Sequence, residues 1–451
     1  MRRWLAGKDS SRMHTRNGRA EPLGSSNGSQ VRVREQLSIF GTRPAESDDR
    51  LTSIDLFAGA GGIAEGLRQA GFDCLYANDF DRIALDTFQL NHPSTKVEHS
   101  PIEDVDAREV RIKLGVAKGD LDCLAGGPPC QGFSINAPER FLDDPRNSLF
   151  KHYLRFVDEF APKTIFFENV PGMLSLADGL IANRVLEELI RRRYDVSQKI
   201  LFAAHYGIPQ ERWRLIILAS RVGPAPDLPL PTHLAFGRAN FRGGSTLTFR
   251  AKSHFGPEMK PQVTVIEALG DLPKLRRGEG AEVMDYAAPP HSEFASRMRC
   301  GASRVFNHIA PQIAQINVER LNHIPVGGSW RDIPFDLLPG GMKKARSSDH
   351  TRRYGRLSPD GLAGTVMTKM DPHWGPAFHY SQKRTLTVRE AARLQSFPDR
   401  YRFLGPRGAQ YEQVGNAVPV LMARAVGGSI RSALTTNCQE SSKGKRAISN
   451  R

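Results

Sequence analysis

The chain has 451 residues, a length that suggests two or three domains, and 39% of them are hydrophobic, an ordinary share for a globular protein. Its 63 Lys and Arg exceed its 48 Asp and Glu for a formal net charge of +15, which points to a polyanionic partner, nucleic acid being the commonest. Five cysteines without a CxxC pair argue against a disulfide framework and a structural zinc site; no apolar run is long enough for a membrane span, and MRRWLAGKDSSRMHTRNGRA lacks the apolar core of a secretory signal, so the expectation is a reducing, cytoplasmic setting.

Residues 1–49, rich in Ser, Gly, Arg and Asn without apolar periodicity, read as a disordered basic tail. An apolar strand, Ile54 to Phe57, then runs into a Gly-rich turn and a helical pattern of Ile63, Leu67 and Ala70 that stops at Gly71. CLYANDF is a second strand, followed by a helix through Ile83, Leu85 and Phe88. DCLAGG and KTIFFENV are further strands with the helical FKHYLRFVDEF between them, and RLIILAS is another. Strands alternating with helices predict an α/β fold with a doubly wound, mostly parallel sheet. After Ser220 the texture changes: from Pro231 the chain is irregular, rich in Gly, Pro, His and Arg, and carries an excess of Lys and Arg. Helical patterning returns at TVREAARLQSFPD and continues through VPVLMARAVGGSI. The expected organisation is a catalytic unit over 50–230, an inserted smaller unit over 231–380, closing helices over 381–432 and a flexible tail over 433–451.

The first strand–helix turn, Gly59-Ala60-Gly61-Gly62, lets the backbone approach a ligand at a helix N-terminus. Asp79 ends the second strand, where a carboxylate can accept from ribose hydroxyls. This pair indicates a nucleoside-containing cofactor but fits a dehydrogenase and a methyltransferase equally. The next strand ends in Gly126-Gly127-Pro128-Pro129-Cys130-Gln131-Gly132-Phe133-Ser134. Ligands on such sheets bind beyond the carboxyl ends of the strands. Cys130 therefore sits on a rigid loop at the active edge, whereas Cys74 and Cys123 read as small buried apolar residues. Glu168, which closes an apolar strand at the same edge, is either a cap for the next turn or a partly desolvated acid. In Gln210-Glu211-Arg212-Trp213-Arg214, alternation puts Arg212 and Arg214 on one face, as an anion anchor or as an ordinary surface pair.

Taken together, DLFAGAGG, GGPPCQGFS, ENV, QERWR, RTLTVREAARLQSFPD and QVGNAVP resemble the cytosine-5 DNA methyltransferase family over residues 51–430, in the family's order and with its long gap between the fourth and fifth segments. The resemblance removes the dehydrogenase reading and implies a class I, Rossmann-like methyltransferase. It implies that a cytosine is flipped out of the duplex and that Cys130 adds to its carbon 6. Glu168 is then expected to hydrogen-bond ring nitrogen 3 and the exocyclic amine. Arg212 and Arg214 would place Glu168, the base or its phosphate, Gln131 and Ser134 would support the loop and contact DNA, and Asn169 joins this catalytic set. By the same matching, Phe57, Ala58, Gly59, Gly61, Gly62, Asp79, Phe80, Ile102, Pro129, Leu149, Asn416 and Val418 line a pocket for S-adenosylmethionine, with no metal. One position departs from the family: in His99-Ser100-Pro101-Ile102 a proline stands where an aspartate often meets the adenine amine, leaving Glu103, Asp104 or a backbone group for that contact.

The insertion occupies the family's target-recognition position. Its segments His323-Ile324-Pro325-Val326-Gly327-Gly328-Ser329-Trp330 and Arg352-Arg353-Tyr354-Gly355-Arg356 offer base-edge and phosphate contacts, although most of the insertion's charges are expected to be solvated. The resemblance further implies a monomer that acts on duplex DNA, binds no membrane, and serves a restriction-modification system whose endonuclease acts on the same site without stable binding. A transfer-RNA cytosine-5 methyltransferase is the alternative, disfavoured by the long basic insertion. An inactive DNA-binding relative is disfavoured by the presence of both Cys130 and Glu168.

Overall fold

The computed structural model describes residues 50–129, 149–175, 180–237, 259–346, 349 and 352–449. The expected basic tail, 1–49, and the loop residues Cys130, Gln131 and Ser134 lie outside them. Seven strands form the central sheet: β1 (Leu51–Leu56), β2 (Phe72–Asp79), β3 (Lys96–His99), β4 (Cys123–Gly126), β5 (Thr164–Asn169), β6 (Asp195–Phe202) and β7 (Trp213–Ser220). Their order is β3-β2-β1-β4-β5-β7-β6. The first five are parallel, and β7 inserts antiparallel between β5 and β6. The expected doubly wound, mostly parallel sheet is present, with two strands more than the apolar patterning reveals.

The sheet is buried on both faces because its central strands are mostly apolar, and strand alternation divides their apolar side chains between two cores. Cys123, Ala125, Phe166, Ile216 and Leu218 point into one core with Ile63 and Leu67 of helix Gly62–Gln69 and with Val420, Ala423 and Val426 of the last helix. Leu124, Ile165, Phe167, Leu215, Ile217 and Ala219 point into the other, against Tyr153, Phe156 and Phe160 of helix Leu149–Phe160. One residue of register slip in β5 would exchange the two sets.

The segment after β7 divides between two cores. Val265, Ala268, Leu269, Phe294, Met298 and Val305 join the first core of the sheet. Leu321, Ile324, Trp330, Ile333, Met342, Tyr354 and Phe378 build a separate small core of their own. Helix Val388–Leu394, opened by a Thr387–Glu390 capping box, packs in the first core against helix Val265–Leu269 and strand Val305–Ile309. It is fastened by ions: the buried Arg393 donates to Asp399 Oδ2 at 2.6 Å and to Ala268 O at 2.8 Å, and also pairs with Asp271. Arg384 grips Glu390 with two bonds of 2.7 Å. The last helix runs from Val420 to Ser449, through the segment expected as a tail from 433, where no proline interrupts it.

Candidate active site

Functional side chains gather at the carboxyl edge of the parallel strands, where each strand gives way to a loop. β1 ends in a turn whose residues Phe57, Gly59 and Gly61 take φ of 57°, 52° and 88°, a region that favours glycine. A Cβ on Gly62 would come within 2.6 Å of Val418 O, so only glycine lets the Gly415-Asn416-Ala417-Val418 segment close against this turn. A Cβ on Gly59 would meet nothing within 4 Å, which leaves open space over the turn. Asp79 Oδ2 accepts from Gly59 N at 2.8 Å and Oδ1 from Asp81 N at 2.9 Å. Burial raises the Asp79 pKa against the pull of these backbone donors. Phe80 follows, 69% exposed. Asn416 is exposed and Val418 buried, so the chain's late segment borders the turn made by its first strand.

On the far side of the edge, β4 and β5 run side by side in register Gly126↔Phe167. Asn169 Nδ2 donates to Pro128 O at 3.0 Å, tying the end of β5 to the loop that leads through Pro129 into Cys130. Gly127 is required there, because a Cβ would sit 2.8 Å from Glu168 Oε2. Glu168 Oε1 pairs with Arg214 Nε at 2.6 Å, and both side chains are largely buried. β7 is antiparallel, so its first residues reach this same edge and deliver Arg214. Burial pushes the Glu168 carboxyl above its ordinary pKa, opposed by Arg214 and then Arg212.

Arg212 is fully buried and is no surface cation. Its Nη1 donates to Val366 O at 3.2 Å, and its Nη2 to Gly415 O at 2.8 Å and Ala417 O at 3.1 Å. Its Nε finds no acceptor among the described residues. Burial, then Arg214, drives its pKa down while Glu168 opposes. Arg212 thus touches the segment beside the Gly-rich turn and the segment leaving the small core, and acts on Glu168 by charge. Glu211, which sequence reasoning did not single out, pairs with Arg352. No local motif announces that pair, because its partners are 141 residues apart.

Of the other expected contacts, Ile102 is buried and its carbonyl already accepts from Arg155 Nη2 at 2.7 Å. Pro101 O accepts from Asp104 N at 3.0 Å. Glu103 and Asp104 are exposed and line an open hollow of about 300 Å³ with Arg155 and Arg108. Leu149 opens its helix and packs half-buried on the second core.

A family model described as C-5 cytosine-specific DNA methylase matches residues 51–432. The chain belongs to this family. As a member of it, the chain is a DNA (cytosine-5)-methyltransferase, for which S-adenosylmethionine is the methyl donor. Among its relatives, the type II methyltransferase M.AgeI of Thalassovita gelatinovora is 35% identical over 85% of this chain and 100% of its own. Type II methyltransferase M.DdeI of Desulfomicrobium norvegicum is 34% identical over 83% of this chain and 86% of its own. In three dimensions, a prophage-encoded DNA modification methyltransferase of E. coli superposes with a TM-score of 0.63 over 85% of this chain and 99% of its own, at 24% identity, which speaks for the shared fold.

Proposed function

We propose that this methyltransferase acts at a specific short sequence of duplex DNA, as the modification partner of a restriction endonuclease, with Cys130 as nucleophile and Glu168 as acid. The observation that carries the reading is Glu168, a buried carboxyl with a raised pKa, paired at 2.6 Å with Arg214. It stands on the strand that Asn169 ties to the Cys130 loop. The type II names of the relatives support the restriction-modification role.

The Cys130 thiolate forms a bond to carbon 6 of a cytosine turned out of the stack, and the ring's electron pair moves toward carbon 5. Glu168, whose pKa burial raises, lends a proton to ring nitrogen 3 as negative charge develops there. Arg214 holds the carboxyl in place, and Arg212 limits how far its pKa climbs. Bound S-adenosylmethionine supplies the electrophilic methyl carbon that carbon 5 takes up. Loss of the carbon-5 proton to water then restores the ring double bond, breaks the sulfur–carbon 6 bond and frees Cys130, while nitrogen 3 returns its proton to Glu168. The open space over Gly59, the exposed Phe80 and the glycine-only approach of Gly62 to Val418 suit a ligand lying across the first turn, and Asp79 and Asn416 are placed to meet its polar groups.

Bisulfite sequencing of DNA from cells expressing the protein tests this reading. The expected result is complete methylation of cytosine within one short motif, abolished by Cys130→Ser. Methyl transfer to transfer RNA with untouched DNA would overturn it.

A further inference from the structure

The cationic run at 352–356 is not uniform. Arg352 is committed to Glu211. Arg356 is committed to two carbonyls, Tyr380 O through Nε and Ile324 O through Nη1, each at 3.1 Å. Arg353 has neither a carboxylate nor a carbonyl partner among the described residues. Its guanidinium lies 5.2 Å from the ring centroid of Trp374, and its Nη1 makes only long contacts, 3.4 Å to His373 Nε2 and 3.6 Å to Met342 Sδ. Stacking on an aromatic face engages the face of the guanidinium and leaves its in-plane N–H donors available.

The platform is fixed while its outer side is open. Trp330 N donates to Arg353 O at 3.0 Å and Tyr354 N to Pro372 O at 2.6 Å. The buried Tyr354 takes a φ of 55°, a conformation costly for an aromatic residue that the small core holds in place. His373 is set edge-on between the rings of Tyr354 and Trp374, at 6.0 and 5.2 Å. Trp374 is nevertheless 55% exposed. The platform also adjoins the catalytic edge. The site of a Gly375 Cβ is 3.2 Å from Met367 Cγ, and Met367 follows Val366, whose carbonyl receives Arg212 Nη1.

We propose that Arg353, presented on Trp374, reads a guanine of the recognition sequence through its O6 and N7 edge, while Arg352 and Arg356 hold the frame. The fork of a guanidinium matches those two acceptors, and a lysine cannot reproduce it. The proposal rests on the DNA reading above. Wild type, Arg353→Lys and Arg353→Ala are compared by bisulfite sequencing of a plasmid library containing all short sites, alongside the salt dependence of DNA binding. Both variants are expected to lose roughly 10- to 100-fold preference at one guanine of the motif while preference at its other positions persists. Arg353→Lys should also keep the wild-type salt slope, since its charge remains. An unaltered motif in Arg353→Lys overturns the proposal. In that case, uniform weakening and a shallower salt slope in Arg353→Ala would assign Arg353 to a phosphate, and no change at all would leave it structural. Failure of the wild type to methylate any DNA would instead reject the DNA reading itself.

Discussion

Three of the buried arginines among the described residues, Arg212 on one side and Arg384 with Arg393 on the other, are treated in opposite ways. Arg384 and Arg393, around helix Val388–Leu394, are matched by carboxylates: Glu390 for one, Asp271 and Asp399 for the other. Arg212, equally buried, has among the described residues only carbonyls for its Nη groups and no acceptor for Nε, and the nearby carboxylate, Glu168, is paired with Arg214 instead. Matched charges fasten segments distant in sequence. An unmatched one leaves a field at the edge where a reaction must develop charge. The difference separates architecture from chemistry more clearly than burial does.

The largest expected effect breaks the chemical half of this comparison. Glu168→Gln keeps the shape but cannot lend a proton, and should lower kcat by about 10²–10⁴-fold with little change in melting temperature. Single-turnover methyl transfer checks this, and a rate near wild type would remove Glu168 from the acid role. The architectural half should break in the complementary way. Arg393→Met removes the cation shared by the buried Asp271 and Asp399, leaving Arg299 beside the first and the more distant Arg389 beside the second, and should cost about 3–5 kcal/mol of stability by denaturant unfolding. A variant as stable as wild type would mean that the network contributes nothing.

Arg212→Met lies between the two. Because a nearby cation holds a carboxyl pKa down, removing it should raise the Glu168 pKa further. The fall in kcat with rising pH, which tracks loss of the Glu168 proton, should therefore move to higher pH. An unmoved alkaline limb would show that Arg212 serves only its three carbonyls. The smallest effect concerns Asp55, whose pKa is pushed up to about 7 by burial beneath the first turn, with Oδ1 unpartnered among the described residues. A raised carboxyl pKa means the folded state keeps a proton that the unfolded chain releases near pH ~4. Its contribution is then present at acid pH and lost as pH climbs through about 7. Asp55→Asn should flatten the melting temperature across that window, and a persisting slope would locate its source elsewhere.

Much of the fold is legible in the sequence because the central strands carry apolar runs such as Ile165-Phe166-Phe167 and Leu215-Ile216-Ile217-Leu218. β3 and β6 escape notice because they are the sheet's edges, and Lys96–His99 and Asp195–Phe202 are polar where solvent reaches them. The split of residues 231–380 between two cores escapes as well, since Val265, Phe294 and Val305 reach the main core from short elements without a repeating period. Alternation puts Arg212 and Arg214 on one face, and both act on Glu168 by charge, but spacing alone says nothing of the three distant carbonyls that absorb Arg212. The same is true of Arg353. Arg352 and Arg356 are arginines too, and only tertiary partners separate the one without a carboxylate or carbonyl partner among the described residues from the two that are committed.

The central claim is that a thiolate on the loop beside Glu168 attacks carbon 6 before methylation. Fluorine at carbon 5 cannot leave as a proton does, so the final elimination should stall and leave enzyme bound to DNA. Duplex DNA carrying 5-fluorocytosine at the methylated position, incubated with S-adenosylmethionine, should give a denaturant-resistant complex. The complex should be absent with Cys130→Ser and form slowly with Glu168→Gln. A complex of equal yield with Cys130→Ser, or none with an active wild type, would contradict the account.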